Sequence, residues 1–121
     1  MRTTPLYYLT IREAAALIRR RKLSVIVDSM YGAGATLTEQ LAGGGHCRVE
    51  TLHGTRDPLF GGQAPEPIGS HLTELSRTVK RRRAHIGLAT DGDADRIGMV
   101  APDGSFVIPG KILAIIIEHL L

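Results

Sequence analysis

Three aspartates at alternate positions, Asp91, Asp93 and Asp95, are the residues of this sequence best suited to chemistry, and Arg96 follows them directly. Unpaired carboxylates about 4 Å apart repel one another by roughly 1 to 4 kcal/mol, so a bound cation explains the cluster better than packing does. All-oxygen ligation suits hard divalent ions, and Mg²⁺ commonly completes its shell with water and a phosphate. The planar guanidinium of Arg96 also suits phosphate. The pattern therefore indicates a Mg²⁺ site that handles a phosphorylated ligand.

Other interpretations of this loop are weighed on the same residues. A solvated acidic turn stays open, although closure of the loop by Arg96 counts against it. An EF-hand needs Gly at position 6 and Glu at position 12 of its loop, and this chain has Arg96 and Pro102 there. A phosphatase with an aspartate nucleophile usually has Thr or Val where Asp95 stands, together with helix-borne partners that the rest of the chain does not offer.

The elements that must position this loop alternate between strands and helices. The loop follows Ile86–Ala89, a short apolar strand, and ligands of open α/β sheets bind beyond the carboxyl ends of strands. The other predicted elements are the strands Leu23–Val27, Cys47–Leu52, Ile97–Ala101 and Phe106–Ile108 and the helices Tyr7–Arg20, Thr36–Leu41, Ser70–Arg83 and Gly110–Leu121. This order predicts a three-layer α/β/α domain with a mixed, mostly parallel four-stranded sheet and one antiparallel edge strand. Thr36 and Ser70 are the predicted N-caps.

Composition narrows the class of protein. With 43% apolar and 22% charged residues, the chain is typical of one globular domain. The net charge of +3 is only mildly basic, and the basic runs Arg19–Lys22 and Lys80–Arg83 lie near predicted helix ends with few aromatic residues, so no nucleic-acid partner is expected. The apolar run Ile112–Ile117 is far shorter than the roughly 20 residues that a membrane span needs. The single cysteine, Cys47, fits a reducing compartment and a cytoplasmic location.

Several weaker signals are assigned to structure rather than to chemistry. Gly32-Ala33-Gly34 follows a strand, but Leu37 stands where a dinucleotide fingerprint has its third glycine, so a plain turn is favoured. Asp28, at the end of the first strand, either faces the ligand cleft expected beyond the carboxyl ends of the strands or caps that turn. The Pro- and Gly-rich segment Asp57–Pro67 is predicted to be a shaped loop at the cleft rim. The five histidines show no metal-ligand spacing and are predicted to be structural or on the surface.

Three segments together carry a family resemblance. Thr90–Ile97, with the preceding Ile86–Ala89, resembles the metal loop of the α-D-phosphohexomutases, the phosphoglucomutase/phosphomannomutase group. Val27–Gly34 is similar to the strand and turn that open the second domain of those enzymes. Asp57–Gly62 and Pro65–Pro67 resemble the loop that follows that domain's second strand, and the segments occur in the family's order.

The resemblance implies an enzyme of four domains around a central cleft, in which each domain has its own role. One domain carries a serine that is phosphorylated and exchanges its phosphoryl group with a hexose phosphate through a bisphosphorylated sugar. By this resemblance, Asp91, Asp93 and Asp95 of the second domain would bind Mg²⁺, and the phosphoserine would provide a further oxygen ligand. Arg96 would lie near the phosphoryl group and stabilise its charge.

One departure from the family pattern limits what this chain is expected to do alone. The reactive serine of the family lies in a Ser-His-Asn-Pro string, which is absent here, and Ser70-His71 is followed by Leu72. Residues 1–121 are therefore expected to be one domain of a four-domain enzyme, inactive without the other domains and the hexose phosphate substrate. The Gly32–Gly34 turn and the Asp57–Pro67 loop look more like glucose and mannose members than the glucosamine branch. The alternative is a stand-alone module that binds a divalent metal or phosphate without catalysis.

Overall fold

The computed structural model describes residues 12–13, 16 and 23–121, and within these ranges five strands form one mixed sheet. The strands are β1 (Leu23–Asp28), β2 (Cys47–Leu52), β3 (Ile86–Thr90), β4 (Ile97–Val100) and β5 (Phe106–Val107), and the helices are α1 (Leu37–Ala42), α2 (Thr73–Arg82) and α3 (Pro109–Leu120). The predicted helix Tyr7–Arg20 lies outside the described residues, apart from residues 12, 13 and 16, which are helical.

The strand order is β2-β1-β3-β4-β5, and it brings the carboxyl ends of three strands to one edge. β1 pairs in parallel with β2 on one side and with β3 on the other. β4 runs antiparallel to β3, with Thr90 opposite Ile97, and β5 runs antiparallel to β4. The α/β class is as predicted, but the sheet has five strands, and the antiparallel strand β4 lies inside the sheet. The reason is that β5, which follows β4 through a tight hairpin at 102–105, pairs on its outer side.

Both faces of the sheet bury apolar side chains. On one face, α2 packs its apolar stripe of Leu75 and Val79 against Ile26 and Val100 of the strands. On the other, Leu23, Val25 and Val27 of β1 form a smaller cluster with partly buried residues of β2 and β3. Because Ile26 lies on the first face and Val25 and Val27 lie on the second, β1 buries apolar side chains on both sides, and residues 25–27 form a continuous hydrophobic run.

The two predicted N-caps do not act as caps. Ser70 lies in a short 3₁₀ turn, Gly69–His71, and α2 begins after it at Thr73 with Leu72 in the N-cap position. The extra turn forms because the Leu72 N–H donates to the carbonyl of Gly69 before the α-helical ladder starts. Thr36 does precede α1, but its hydroxyl accepts a bond from the Gln40 side chain at 2.7 Å, so no backbone N–H is capped.

The last helix, α3, is twelve residues long and mostly exposed, with only Ile112 buried. Among residues 12–13, 16 and 23–121, neither this helix nor any other combines the length and apolar character that crossing a bilayer requires.

Replacing Leu75, which is fully buried between α2 and the sheet, tests where the core lies. We expect Leu75→Ala to lower the free energy of unfolding by about 2–5 kcal/mol, because it removes packed methyl groups and leaves a cavity. The matched control is Leu113→Ala in α3, where the side chain is 58% exposed and the loss should stay near 0.5 kcal/mol. Urea denaturation of both variants measures the difference, and equal losses would contradict this placement of the core.

Candidate metal centre

The acidic loop, residues 91–96, starts directly after β3 and ends directly before β4. It folds back on itself, since the Ala94 N–H donates to the Asp91 carbonyl at 3.1 Å and the Asp91 N–H points at the Arg96 carbonyl at 3.4 Å. Ala94 has φ +62°, a left-handed conformation that costs energy for a residue with a Cβ. The tight loop places its three carboxylates at the carboxyl edge of the sheet.

Asp91 anchors this loop from inside. Its side chain is buried, Oδ1 accepts the backbone N–H groups of Asp95 and Arg96 at 2.9 and 3.1 Å, and Oδ2 accepts Nε of Arg96 at 2.8 Å. Burial by itself raises the pKa of Asp91, but the bonds from Arg96 and Asp95 outweigh it and hold the pKa well below the ordinary value. Asp91 is therefore a carboxylate at neutral pH, and it keeps one lone-pair direction on Oδ2 for a further partner.

The other two aspartates are exposed and turn toward Asp91. One carboxylate oxygen from each of Asp91, Asp93 and Asp95 lies within 4.8 Å of the others. The pKa of Asp95 is raised, because its carboxyl group interacts with the carboxylates of Asp91 and Asp93. Concentrated negative charge of this kind is relieved by a cation, and three carboxylate oxygens are a donor set that Mg²⁺ accepts. The side chains thus converge as the spacing predicts.

Arg96 lies beside the three carboxylates because it forms an ion pair with Asp91. The Nε–Oδ2 distance is 2.8 Å, while the Arg96 side chain as a whole is 62% exposed. An arginine has five N–H donors, so the bond to Asp91 leaves the terminal groups for another anion. The ion pair with Asp91 therefore fixes the positively charged guanidinium of Arg96 beside the acidic cluster.

An open cleft of about 550 Å³ lies over the acidic loop, and its opposite rim is the segment that the sequence predicts to be a shaped loop. From that segment come Phe60, Ala64, Pro65 and Glu66. Asp57 gives the segment its shape, because its carboxylate accepts the N–H groups of two residues in the following turn at 2.9 and 3.0 Å. The prediction of a loop at the cleft rim is confirmed.

The turn after β1 supports the acidic loop from behind. The Ala33 N–H donates to the carbonyl of Gly92 at 2.9 Å. A Cβ on Gly32 would lie 2.7 Å from that same carbonyl oxygen, which is closer than real Cβ atoms approach. Glycine at 32 therefore serves a close contact between two backbones.

A second polar cluster, which no sequence motif marks, consists of Asp28, His53 and Glu74. The two ring nitrogens of His53 lie 2.8 Å from Asp28 Oδ1 and 2.8 Å from Glu74 Oε2. Asp28 Oδ1 also accepts the Met30 N–H at 2.8 Å, so the residue caps the turn. The order of the elements could have indicated this cluster. Asp28 ends β1 and His53 follows β2, and the carboxyl ends of neighbouring parallel strands meet at one edge of a sheet.

Comparison with known proteins links this geometry to one family. Residues 6–104 match the family model described as phosphoglucomutase/phosphomannomutase, alpha/beta/alpha domain II. The probable phosphoglucosamine mutase of Methanothermobacter thermautotrophicus is 37% identical over 101 residues, which are 84% of this chain and 22% of that protein. The phosphoglucosamine/phosphogalactosamine mutase of Sulfurisphaera tokodaii is 34% identical over 87 residues, 72% of this chain and 19% of that protein. The chain thus spans about a fifth of the length of these curated relatives.

Solved structures agree with the sequence matches. A putative phosphomannomutase from Thermus thermophilus superposes with a TM-score of 0.70 at 32% identity, covering 82% of this chain and 23% of that one. A phosphoglucomutase/phosphomannomutase family protein from Burkholderia thailandensis superposes with a TM-score of 0.75 at 31% identity, covering 82% of this chain and 22% of that one. The names of the curated relatives run against the preference for glucose and mannose members that the sequence suggested.

Replacing the buried carboxylate tests its role as the anchor of the loop. We expect Asp91→Asn to lower the free energy of unfolding at neutral pH by about 1.5–3 kcal/mol, because hydrogen bonds to a charged group are lost at a buried site. Since the pKa of Asp91 is lowered by folding, its contribution is complete above the ordinary value of 3.8 and is lost as the pH falls through the lower folded value. The difference in the free energy of unfolding between wild type and variant should therefore shrink as the pH falls below 3.8, as measured by urea denaturation at a series of pH values.

The matched control for this comparison is Asp93→Asn, an exposed change in the same loop. It removes charge without breaking the bonds to Asp91, so the free energy of unfolding should change by no more than about 0.5 kcal/mol. Equal destabilisation by both variants would show that Asp91 does not anchor the loop.

Proposed function

The chain belongs to the phosphoglucomutase/phosphomannomutase family, where it matches the α/β/α domain II, and from this membership we propose that it is the metal-binding domain of a phosphohexomutase. The observation that carries the proposal is the convergence of three carboxylates within 4.8 Å beside Arg96, at the edge of the sheet where α/β domains bind ligands.

The proposed metal is Mg²⁺, and its ligands in this chain are Asp91, Asp93 and Asp95. The donor set supports this choice, because all three donors are carboxylate oxygens and two of the side chains face solvent. When bound, the ion supplies positive charge that stabilises a phosphoryl group during transfer.

Arg96 is the proposed catalytic residue of the domain. Its pair with Asp91 holds the guanidinium beside the acidic cluster, while most of its surface remains open to the cleft. A planar guanidinium donates parallel hydrogen bonds to phosphate oxygens, so Arg96 binds and orients the phosphoryl group and offsets its charge. Because Asp91 stays ionised at neutral pH, this orientation persists through the physiological range.

The activity of the whole enzyme is part of the same proposal. Residues 1–121 act as one domain among four, and the other domains of the enzyme and a hexose phosphate are its partners. The complete enzyme interconverts hexose 1-phosphate and 6-phosphate through a phosphoserine and a bisphosphorylated sugar. The names of the curated relatives favour an amino sugar as that hexose. The lone Cys47 supports a cytoplasmic location.

A second candidate function is a stand-alone module that binds a divalent metal or phosphate without catalysis. The observation in its favour is that the three converging carboxylates and Arg96 all come from this chain, so the site needs no other domain to form. The two candidates share the same metal site, and they differ in whether a serine-bearing domain completes it.

Titration with Mg²⁺ tests the site that both candidates share. We expect the chain to bind Mg²⁺ and Asp93→Asn to weaken that affinity by roughly tenfold or more, because affinity follows the number of charged ligands. The control is Glu118→Gln, which removes one exposed negative charge from α3 and should bind like wild type. Isothermal titration calorimetry measures all three proteins. Indistinguishable affinities for Asp93→Asn and wild type would refute the assignment.

An assay for turnover tests the expectation that the chain is inactive alone. With glucosamine 1-phosphate or glucose 1-phosphate as substrate, the isolated 121 residues should form no 6-phosphate, because no residue of the chain lies in the family's serine motif. Product formation that disappears in Asp93→Asn would contradict the need for a serine-bearing domain.

A further inference from the structure

His53 makes two short contacts with carboxylates on opposite sides of its ring. Nδ1 lies 2.8 Å from Asp28 Oδ1, and Nε2 lies 2.8 Å from Glu74 Oε2. A neutral imidazole has only one N–H, whereas both ring nitrogens must donate if both carboxylates are ionised. The geometry is therefore that of an imidazolium bridge. Burial lowers the pKa of His53, but Asp28 and Glu74 outweigh it and raise the pKa above the ordinary 6.5.

The bridge joins three separate parts of the chain. Asp28 is the buried end of β1, His53 follows β2, and Glu74 stands in the first turn of α2 with its side chain 61% exposed. Tyr31 stacks on the His53 ring with centroids 4.6 Å apart, and its N–H donates to the His53 carbonyl at 3.0 Å.

The remaining titratable group at this place is His71. It lines the same cavity of about 200 Å³, and its Nδ1 lies 3.0 Å from the carbonyl of Glu66. Asp28, Glu74, Tyr31 and His71 are thus the titratable groups that share this cavity with His53 among the described residues.

A short series of contacts leads from His53 to the acidic loop. Gly61, at φ +66°, lies so close to Tyr31 that a Cβ there would be 2.5 Å from the ring. The neighbouring Phe60 reaches Gly92, where a Cβ would lie 3.3 Å from Phe60 Cε1. Phe60 and Pro65 line both the His53 cavity and the cleft over the acidic loop, so one wall separates the two sites.

We propose that His53 is a positioning residue for the acidic loop: by bridging Asp28 to Glu74, it holds Tyr31 and the wall formed by Phe60 and Pro65 against Gly92. The inference rests on the proposed function, since its consequence is the convergence of carboxylates that Mg²⁺ would require. It assigns a role to a histidine that lies outside the acidic cluster and touches none of the three aspartates.

The direction of the pH dependence follows from the bridge. Because the pKa of His53 is raised by folding, the bridge is complete below pH 6.5 and is lost as the pH rises through the folded value. Affinity for Mg²⁺ should therefore fall as the pH rises through that range. Carboxylate ligands acting alone would make the affinity for Mg²⁺ rise with pH, because a rising pH only removes protons that compete with the metal.

Nuclear magnetic resonance of the metal-free chain provides the first test. We expect the His53 ring to titrate above 6.5, and we expect the amides of Gly92, Ala94 and Asp95 to shift with the same midpoint. In Glu74→Gln, which keeps the buried contact with Asp28, the His53 midpoint should fall and the loop amides should follow it. Loop amides that ignore the His53 titration would overturn the proposal, whether or not the chain binds metal.

Calorimetry with Mg²⁺ provides the second test. We expect the affinity of wild type to fall on the order of fivefold across the His53 titration, whereas His53→Gln should bind at the weaker level throughout. The control is His119→Gln, an exposed change in α3 that should follow wild type. Equal affinities of His53→Gln and wild type below the midpoint would overturn the positioning role alone. Failure of wild type to bind Mg²⁺ while the loop amides still follow His53 would overturn the proposed function alone.

Discussion

The buried carboxylate of Asp91 is the interaction on which the arrangement at the sheet edge depends. It accepts two backbone N–H groups of its own loop and the N–H of Arg96 Nε. One side chain therefore sets both the path of the loop and the position of the Arg96 guanidinium. A buried carboxylate is costly unless such donors surround it. Here they also keep it ionised, and this places a fixed negative charge next to two exposed aspartates. The cluster is therefore a consequence of backbone hydrogen bonding as much as of acidic composition.

The register of the parallel strands supplies the second constraint. β1 lies between β2 and β3, so the turn after β1 meets the loop after β3, and the Ala33 N–H bonds to the Gly92 carbonyl. The segment that follows β2 passes the same edge and forms the far rim of the cleft through Phe60 and Pro65. Three connections that are distant in sequence thus share one edge. Phe60 and Pro65 therefore separate the His53 cavity from the cleft over the acidic loop.

Much of this architecture was predictable from local patterns. The strand β1, the two strands that flank residues 102–105 and the Pro- and Gly-rich rim segment all formed where their residues indicate, because each depends on near neighbours. The details that were wrong depend on competition between local options. Ser70 is a good N-cap by type, yet it lies in a 3₁₀ turn that precedes α2, and α2 begins at Thr73. The antiparallel strand moved inside the sheet because β5 added a further pairing.

The sequence by itself determined the fold class, the family and the three aspartates whose alternate spacing brings their carboxylates together. Spacing within one short loop is local information, and it carries over directly into three dimensions. Only the tertiary structure decided that Asp91 is the buried anchor while Asp93 and Asp95 are exposed, since burial depends on what packs above the loop. It alone revealed the bridge from Asp28 through His53 to Glu74, because those residues are separated by 25 and 21 positions and meet only when the strands pair.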